Sequence, residues 1–101
     1  MAKKGMQVWF VERENGPERL ICEAEVFFEE GPLLGMKLVG FCLWKTAEGQ
    51  TFVTFPARAF GAGEDRRYFD YLRAADGSAE TVKRIKAWIL DEYRKRGTDA
   101  D

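Results

Sequence analysis

Alternation of apolar and polar positions is clearest between Leu20 and Phe28, where Leu20, Cys22, Ala24, Val26 and Phe28 share one face and Glu23 and Glu25 the other. A period of two is that of a β-strand with one buried and one wet side. Upstream, residues 6–14 (MQVWFVERE) are β-branched and aromatic and read as a first strand, and Asn15-Gly16 supplies the dipeptide of a tight hairpin turn. Glu29-Glu30-Gly31-Pro32 breaks the second run. Residues 34–44 resume it as a third strand that is apolar on both faces and so needs cover on both. After a turn at Ala47-Glu48-Gly49, residues 51–55 form a fourth strand. It stops at Pro56, which has no N–H to give to a ladder. Residues 60–65 read as a loop and 67–73 (RYFDYLR) as a short fifth strand. Strands joined by short turns predict an antiparallel meander rather than parallel βαβ units.

From Ser78 the period changes. Ser78 is a suitable N-cap and Glu80 places an acid in the first turn, where the helix dipole favours it. At about 100° per residue, Val82, Ile85, Ile89 and Tyr93 form one stripe to pack on the sheet. Arg94, Lys95 and Arg96 fall in the last turn, with Gly97 as its end. Arg84, Trp88 and Lys95 are expected on one flank of the stripe, and Lys83, Lys86 and Arg94 on the other. The expected fold is α+β: an antiparallel meander sheet of about five strands with one C-terminal helix, a single domain over residues 1–101 with tails at 1–5 and 97–101.

Composition narrows the chemistry. A chain of 101 residues has room for one core. It contains no histidine, one serine (Ser78) and one asparagine (Asn15), so histidine-based triads and zinc hydrolases lack their parts. No enzymatic activity, cofactor, metal site or small-molecule substrate is expected. Cys22 and Cys42 lie within strands, spaced neither as a metal knuckle nor as a CxxC pair, and read as reduced core thiols. Gly61-x-Gly63 is followed by Glu64-Asp65, which would repel a pyrophosphate. The N-terminal MAKKGMQVWF lacks the apolar core of a signal peptide, and no run is long enough for a membrane span, so a cytoplasmic location without membrane contact is expected.

The net charge of −1 conceals a division. Residues 12–30 hold seven acids against two arginines, whereas residues 83–96 hold six basic residues against Asp91 and Glu92. Arg58, Arg66, Arg67 and Arg73 gather around the end of strand four and strand five. Aromatic rings interleaved with cations are what phosphate attraction plus base stacking require. The candidate nucleic-acid-binding residues are therefore Arg58, Arg66, Arg67, Lys83, Arg84, Lys86, Trp88, Arg94 and Lys95. The same cations also suit a solvated surface, and Trp88 also suits the edge of a core. Aromatics outnumber what one inner sheet face can use, which points to a homodimer. A dimeric protein-interaction module without nucleic-acid binding is the alternative reading.

Two segments resemble the stage V sporulation protein G family of bacterial regulators. FVTFPAR is similar to that family's strand ending in Pro-Ser-Arg or Pro-Ser-Lys, with Phe52, Val53, Pro56 and Arg58 on matching positions and Ala57 in place of the serine. TVKRIKAWILDEYRK resembles its terminal helix at Thr81, Ile85, Leu90, Glu92 and Tyr93. VERENGPERL and VFFEEGPLLGMKL are similar in pattern to its first hairpin and central strands, while its His-Pro segment after the fifth strand is replaced by Leu72-Arg73. The resemblance implies a strand-mediated homodimer and a regulator, of the septation and sporulation kind, that binds DNA or RNA with low sequence selectivity.

Overall fold

The computed structural model describes residues 5–99, with side chains to Arg96. Four strands, β1 (Met6–Val11), β2 (Leu20–Phe28), β3 (Lys37–Lys45) and β4 (Thr51–Thr54), form an antiparallel sheet in chain order. β5 (Ala57–Phe60) and β6 (Arg67–Asp70) pair only with each other as a two-stranded ribbon, and α1 (Ala79–Asp99) lies against β4 and β1. The α+β class and the terminal helix agree with the sequence pattern. The strands number six rather than about five because buried Pro56 ends one ladder and the chain starts another immediately after it.

Packing follows the alternation in the middle of β2, while at its start a register shift sets Ile21 rather than Leu20 against the core. Cys22, Ala24 and Val26 of β2, Phe41 and Leu43 of β3, Val53 of β4, and the adjoining Phe55 form the buried inner surface, and Ile89 of α1 seats on it. Val82, Ile85 and Tyr93 flank Ile89 along the expected stripe. Phe41 and Phe55 meet edge to face at 5.4 Å. Ser78 caps the helix, its hydroxyl accepting from the Thr81 N–H at 3.4 Å. Cys22 and Cys42 are free thiols on opposite faces of the sheet, and burial pushes the Cys22 thiol up to about 11, so it stays protonated at neutral pH.

Several boundaries differ from the sequence reading; β3 begins at Lys37 rather than at residue 34, the chain before it being a turn. β1 stops at Val11, and residues 12–19 form an eight-residue connection in place of a tight Asn15-Gly16 hairpin. Pro17 closes that connection by accepting from the Leu20 N–H at 3.0 Å. The loop at 60–65 contains a 3-10 turn, Gly63–Asp65, and β6 ends at Asp70, where the Arg73 Nε donates back to the Asp70 carbonyl at 2.7 Å. α1 continues through Gly97 to Asp99, because Tyr93 and Arg96 anchor its last turns on Phe10 of β1, at 5.2 and 5.8 Å. The tail expected at 97–101 is therefore helical to Asp99; residues 1–4 and 100–101 lie outside the described residues.

On the outer face of the sheet, charged pairs on the central strands lie between exposed rings at the two edges. Glu23 and Glu25 pair with Arg13 at 2.9 Å and Lys37 at 3.0 Å. Trp9, Val39 and Phe52 are exposed on the same face, Trp9 and Phe52 at opposite edges, with Phe52 beside half-buried Trp44, whose Nε1 donates to Thr54 Oγ1 at 2.8 Å. α1 packs on the inner face, so the second cover that the third strand requires is not supplied by the described residues.

One contact sets the path from sheet to ribbon. The β2–β3 register shifts between Ala24 and Val26, and Gly40, in the irregular part of β3, takes a φ of +106°. A Cβ on Gly40 would stand 2.8 Å from Pro56 Cβ. Both the left-handed backbone and this close approach favour glycine. Gly40→Ala is expected to cost about 2 kcal/mol or more of unfolding free energy, read as a lower denaturant midpoint at unchanged slope.

Candidate nucleic-acid interface

The ribbon is built by local rules and stands clear of the core. Gly61 turns the chain at φ +80°, where a Cβ would lie 2.6 Å from the Asp65 carbonyl oxygen, and the Arg66 N–H donates to the Gly63 carbonyl at 3.2 Å. At its root the Tyr71 N–H donates to the Pro56 carbonyl at 2.8 Å. All eight residues of β5 and β6 are exposed. An isolated two-stranded ribbon is at best marginally stable in water, so its side chains carry much of its cohesion.

Its two faces differ in chemistry. The register Ala57↔Asp70 and Ala59↔Tyr68 puts two alanines, a tyrosine and an acid on one face. Ala57, Tyr68 and Asp70 of this face border a groove shared with Cys42, Trp44, Phe52 and Thr54 of the sheet. The register Arg58↔Phe69 and Phe60↔Arg67 puts two arginines and two phenylalanines on the opposite face. Phe60 and Phe69 meet edge to face at 5.2 Å, and the Arg58 guanidinium lies 4.5 Å from the Phe60 ring centre. Phe60 is 44% and Phe69 46% exposed, so both rings keep surface for a ligand. Cationic forks beside open aromatic rings can neutralise phosphates and stack bases. Arg66 lies at the turn end of the ribbon.

The helix cations are distributed otherwise. Lys83 and Arg84 are exposed. Lys86 is half-buried, its ammonium 5.4 Å over the Phe55 ring at the root of the ribbon. Lys95 is held between Asp91 at 3.4 Å and Glu92 at 3.3 Å, which compensates its charge within the helix. Arg94 borders a shallow depression together with Arg84, Trp88 and Asp91, on the Arg84 flank rather than the Lys86 flank expected for it. Trp88 is half-buried and packs against the core, with its Nε1 buried and without a hydrogen-bond partner among the described residues.

Of the nine candidate residues, Arg58 and Arg67 share one face, Arg66 adjoins it, and Lys86 sits at its root. Lys83, Arg84, Trp88, Arg94 and Lys95 belong to the helix surface away from that face's aromatic pair. Phe60 and Phe69 were absent from the sequence-based selection. Their signal was the period of two in ARAF and RYFD, which places each phenylalanine on the arginine side. Comparisons with protein-family models, with curated proteins and with solved structures find no match to this chain.

Packing and exposure predict different mutational outcomes on α1. Trp88→Ala is expected to lower unfolding free energy by about 3 kcal/mol. Lys83→Ala and Arg84→Ala should each leave it within about 0.5 kcal/mol, as measured by chemical denaturation.

Proposed function

We propose that this chain is a non-catalytic regulatory protein that binds nucleic acid, DNA or RNA, with low sequence selectivity, similar to the stage V sporulation protein G family. The observation that carries the reading is the exposed ribbon face on which Arg58, Phe60, Arg67 and Phe69 alternate. Phosphate contacts would come from the arginines and stacking from the rings, with Lys86 at the ribbon root and exposed Lys83 and Arg84 extending the positive field. The overall charge of −1 makes this field local, which favours contact with a short stretch of backbone.

The protein acts in this reading as a homodimer. Support comes from the outer face, where Trp9, Val39 and Phe52 are exposed on three different strands, and from a ribbon that has no core of its own. A second copy would double the basic ribbon face as well as cover the sheet. Sedimentation at micromolar concentration should return a dimer; a single 11.6 kDa species would contradict the assembly.

Fluorescence anisotropy with single-stranded DNA, duplex DNA and RNA at several salt concentrations tests the binding claim. Affinity should fall steeply with salt, and Arg58→Ala and Arg67→Ala should each lower the salt slope by roughly one unit. Phe60→Ala should weaken binding by about 1–3 kcal/mol with the slope unchanged. The exposed aromatics also favour a second reading, a protein-interaction module. Absence of binding to all three nucleic acids, together with salt-insensitive capture of a protein partner, would favour that reading instead.

A further inference from the structure

Between the ribbon and the outer face of the sheet runs a groove of about 580 Å³, within the size range of small-molecule sites. The β3–β4 register sets Trp44 opposite Phe52 and Cys42 opposite Thr54, and these four side chains form the sheet wall. Tyr68 and Asp70, two residues apart on β6, form the ribbon wall with Ala57. Three aromatic rings from three strands therefore border one space together with one carboxylate and no cation.

The chemistry of these walls selects a cation. Tyr68 is 66% and Phe52 43% exposed, so their ring surface is open to a ligand, and the Trp44 indole is held in place by its bond to Thr54 Oγ1. Aromatic faces attract a positive charge through their quadrupole, more strongly once that charge is out of water. The Asp70 carboxylate has no hydrogen-bond or ion-pair partner among the described residues; Arg73 reaches only the Asp70 backbone carbonyl. Other polar groups of the groove are engaged, Thr54 Oγ1 by Trp44 and the Gly40 carbonyl by the Cys42 thiol at 3.8 Å. An ammonium carrying N–H groups would give up hydrogen bonds to water for few acceptors here. A quaternary ammonium has no N–H to satisfy.

We propose that this groove binds a small quaternary ammonium compound of the choline class, its methylated head among Trp44, Phe52 and Tyr68 and its charge facing Asp70. The site is independent of the nucleic-acid reading, since Tyr68 and Asp70 lie on the ribbon face opposite Arg58 and Arg67. Of the exposed outer-face residues Trp9, Val39 and Phe52, it uses only Phe52.

Nuclear magnetic resonance of the labelled full chain tests the site by titration with choline, with neohexyl alcohol, in which carbon replaces the nitrogen, and with ethanolamine. The first two match in shape and differ in charge; the third keeps the charge and adds N–H groups. Choline should shift the Trp44 indole N–H and the amides of residues 42–44, 52–54 and 68–70, saturably and at millimolar concentration. Neohexyl alcohol and ethanolamine should each bind more weakly by about fivefold or more, the scale of one cation–ring contact. Asp70→Asn and Tyr68→Ala, both at exposed positions, should each lower choline affinity by about threefold to tenfold. Phe52→Leu tests the sheet wall in the same way should either change disturb the ribbon. No saturable shift at these residues, equal affinity for choline and neohexyl alcohol, or unchanged affinity in all three variants would overturn the site. Ethanolamine binding as tightly as choline would overturn the quaternary head, and a preference for a trimethyl-lysine peptide over choline would overturn the free small molecule as occupant.

Discussion

Pro56 packs on Gly40, and the direction in which the chain leaves the sheet depends on that contact. The proline ends β4 because it cannot donate to a ladder, and the glycine leaves room for the ring only by lacking a Cβ. From there the Pro56 carbonyl accepts the Tyr71 N–H, so the same residue that closes one sheet fixes the root of the ribbon. The preceding residue, Phe55, belongs to the core and carries Lys86 over its ring. Within two residues the chain passes from the best-packed part of the molecule to its most exposed part.

That exposure has a physical logic. One helix can cover one face of a four-stranded sheet, and α1 spends its apolar stripe on the inner face through Val82, Ile85 and Ile89. The outer face divides between paired charges, Glu23 with Arg13 and Glu25 with Lys37, and bare rings such as Trp9 and Phe52. Paired charges are content in water, whereas exposed aromatic surface of this kind marks contact with something else. On the ribbon the rings alternate with arginines, which suits a ligand that is anionic along its length and flat at its bases. On the outer face of the sheet the one cation beside a ring among the described contacts, Lys37 at 5.5 Å from Phe27, is already paired with Glu25, which suits a second copy rather than a polyanion. The two surfaces therefore support different partners within one account.

The sequence made the inner layer legible because period-two and helical patterns report burial directly: Cys22, Ala24 and Val26 in β2, and Val82, Ile85 and Ile89 in α1, fell where alternation placed them. Boundaries were less legible wherever a tertiary contact overrode a local signal. Gly97 marks a helix end, but Tyr93 and Arg96 hold the helix to Phe10 beyond it. Asn15-Gly16 marks a tight turn, yet Pro17 organises a longer one. Among site residues, Arg58 and Arg67 were found by charge, and their common face follows from the β5–β6 register, which no count of cations contains. Helical arithmetic placed Trp88 beside the basic residues; how deeply its indole packs depends on the sheet beneath it, which the helix sequence does not encode.

The claim at the centre of this account is that nucleic acid meets the arginine–phenylalanine face of the ribbon. Nuclear magnetic resonance of the labelled protein, titrated with a short single-stranded oligonucleotide, reads that face residue by residue. The account predicts that the largest shifts fall on the backbone amides of residues 57–70 and on the ring protons of Phe60 and Phe69, with smaller ones near Lys86. Shifts confined to the far end of α1, around Arg94 and Lys95, or no shifts at saturating oligonucleotide, would contradict it.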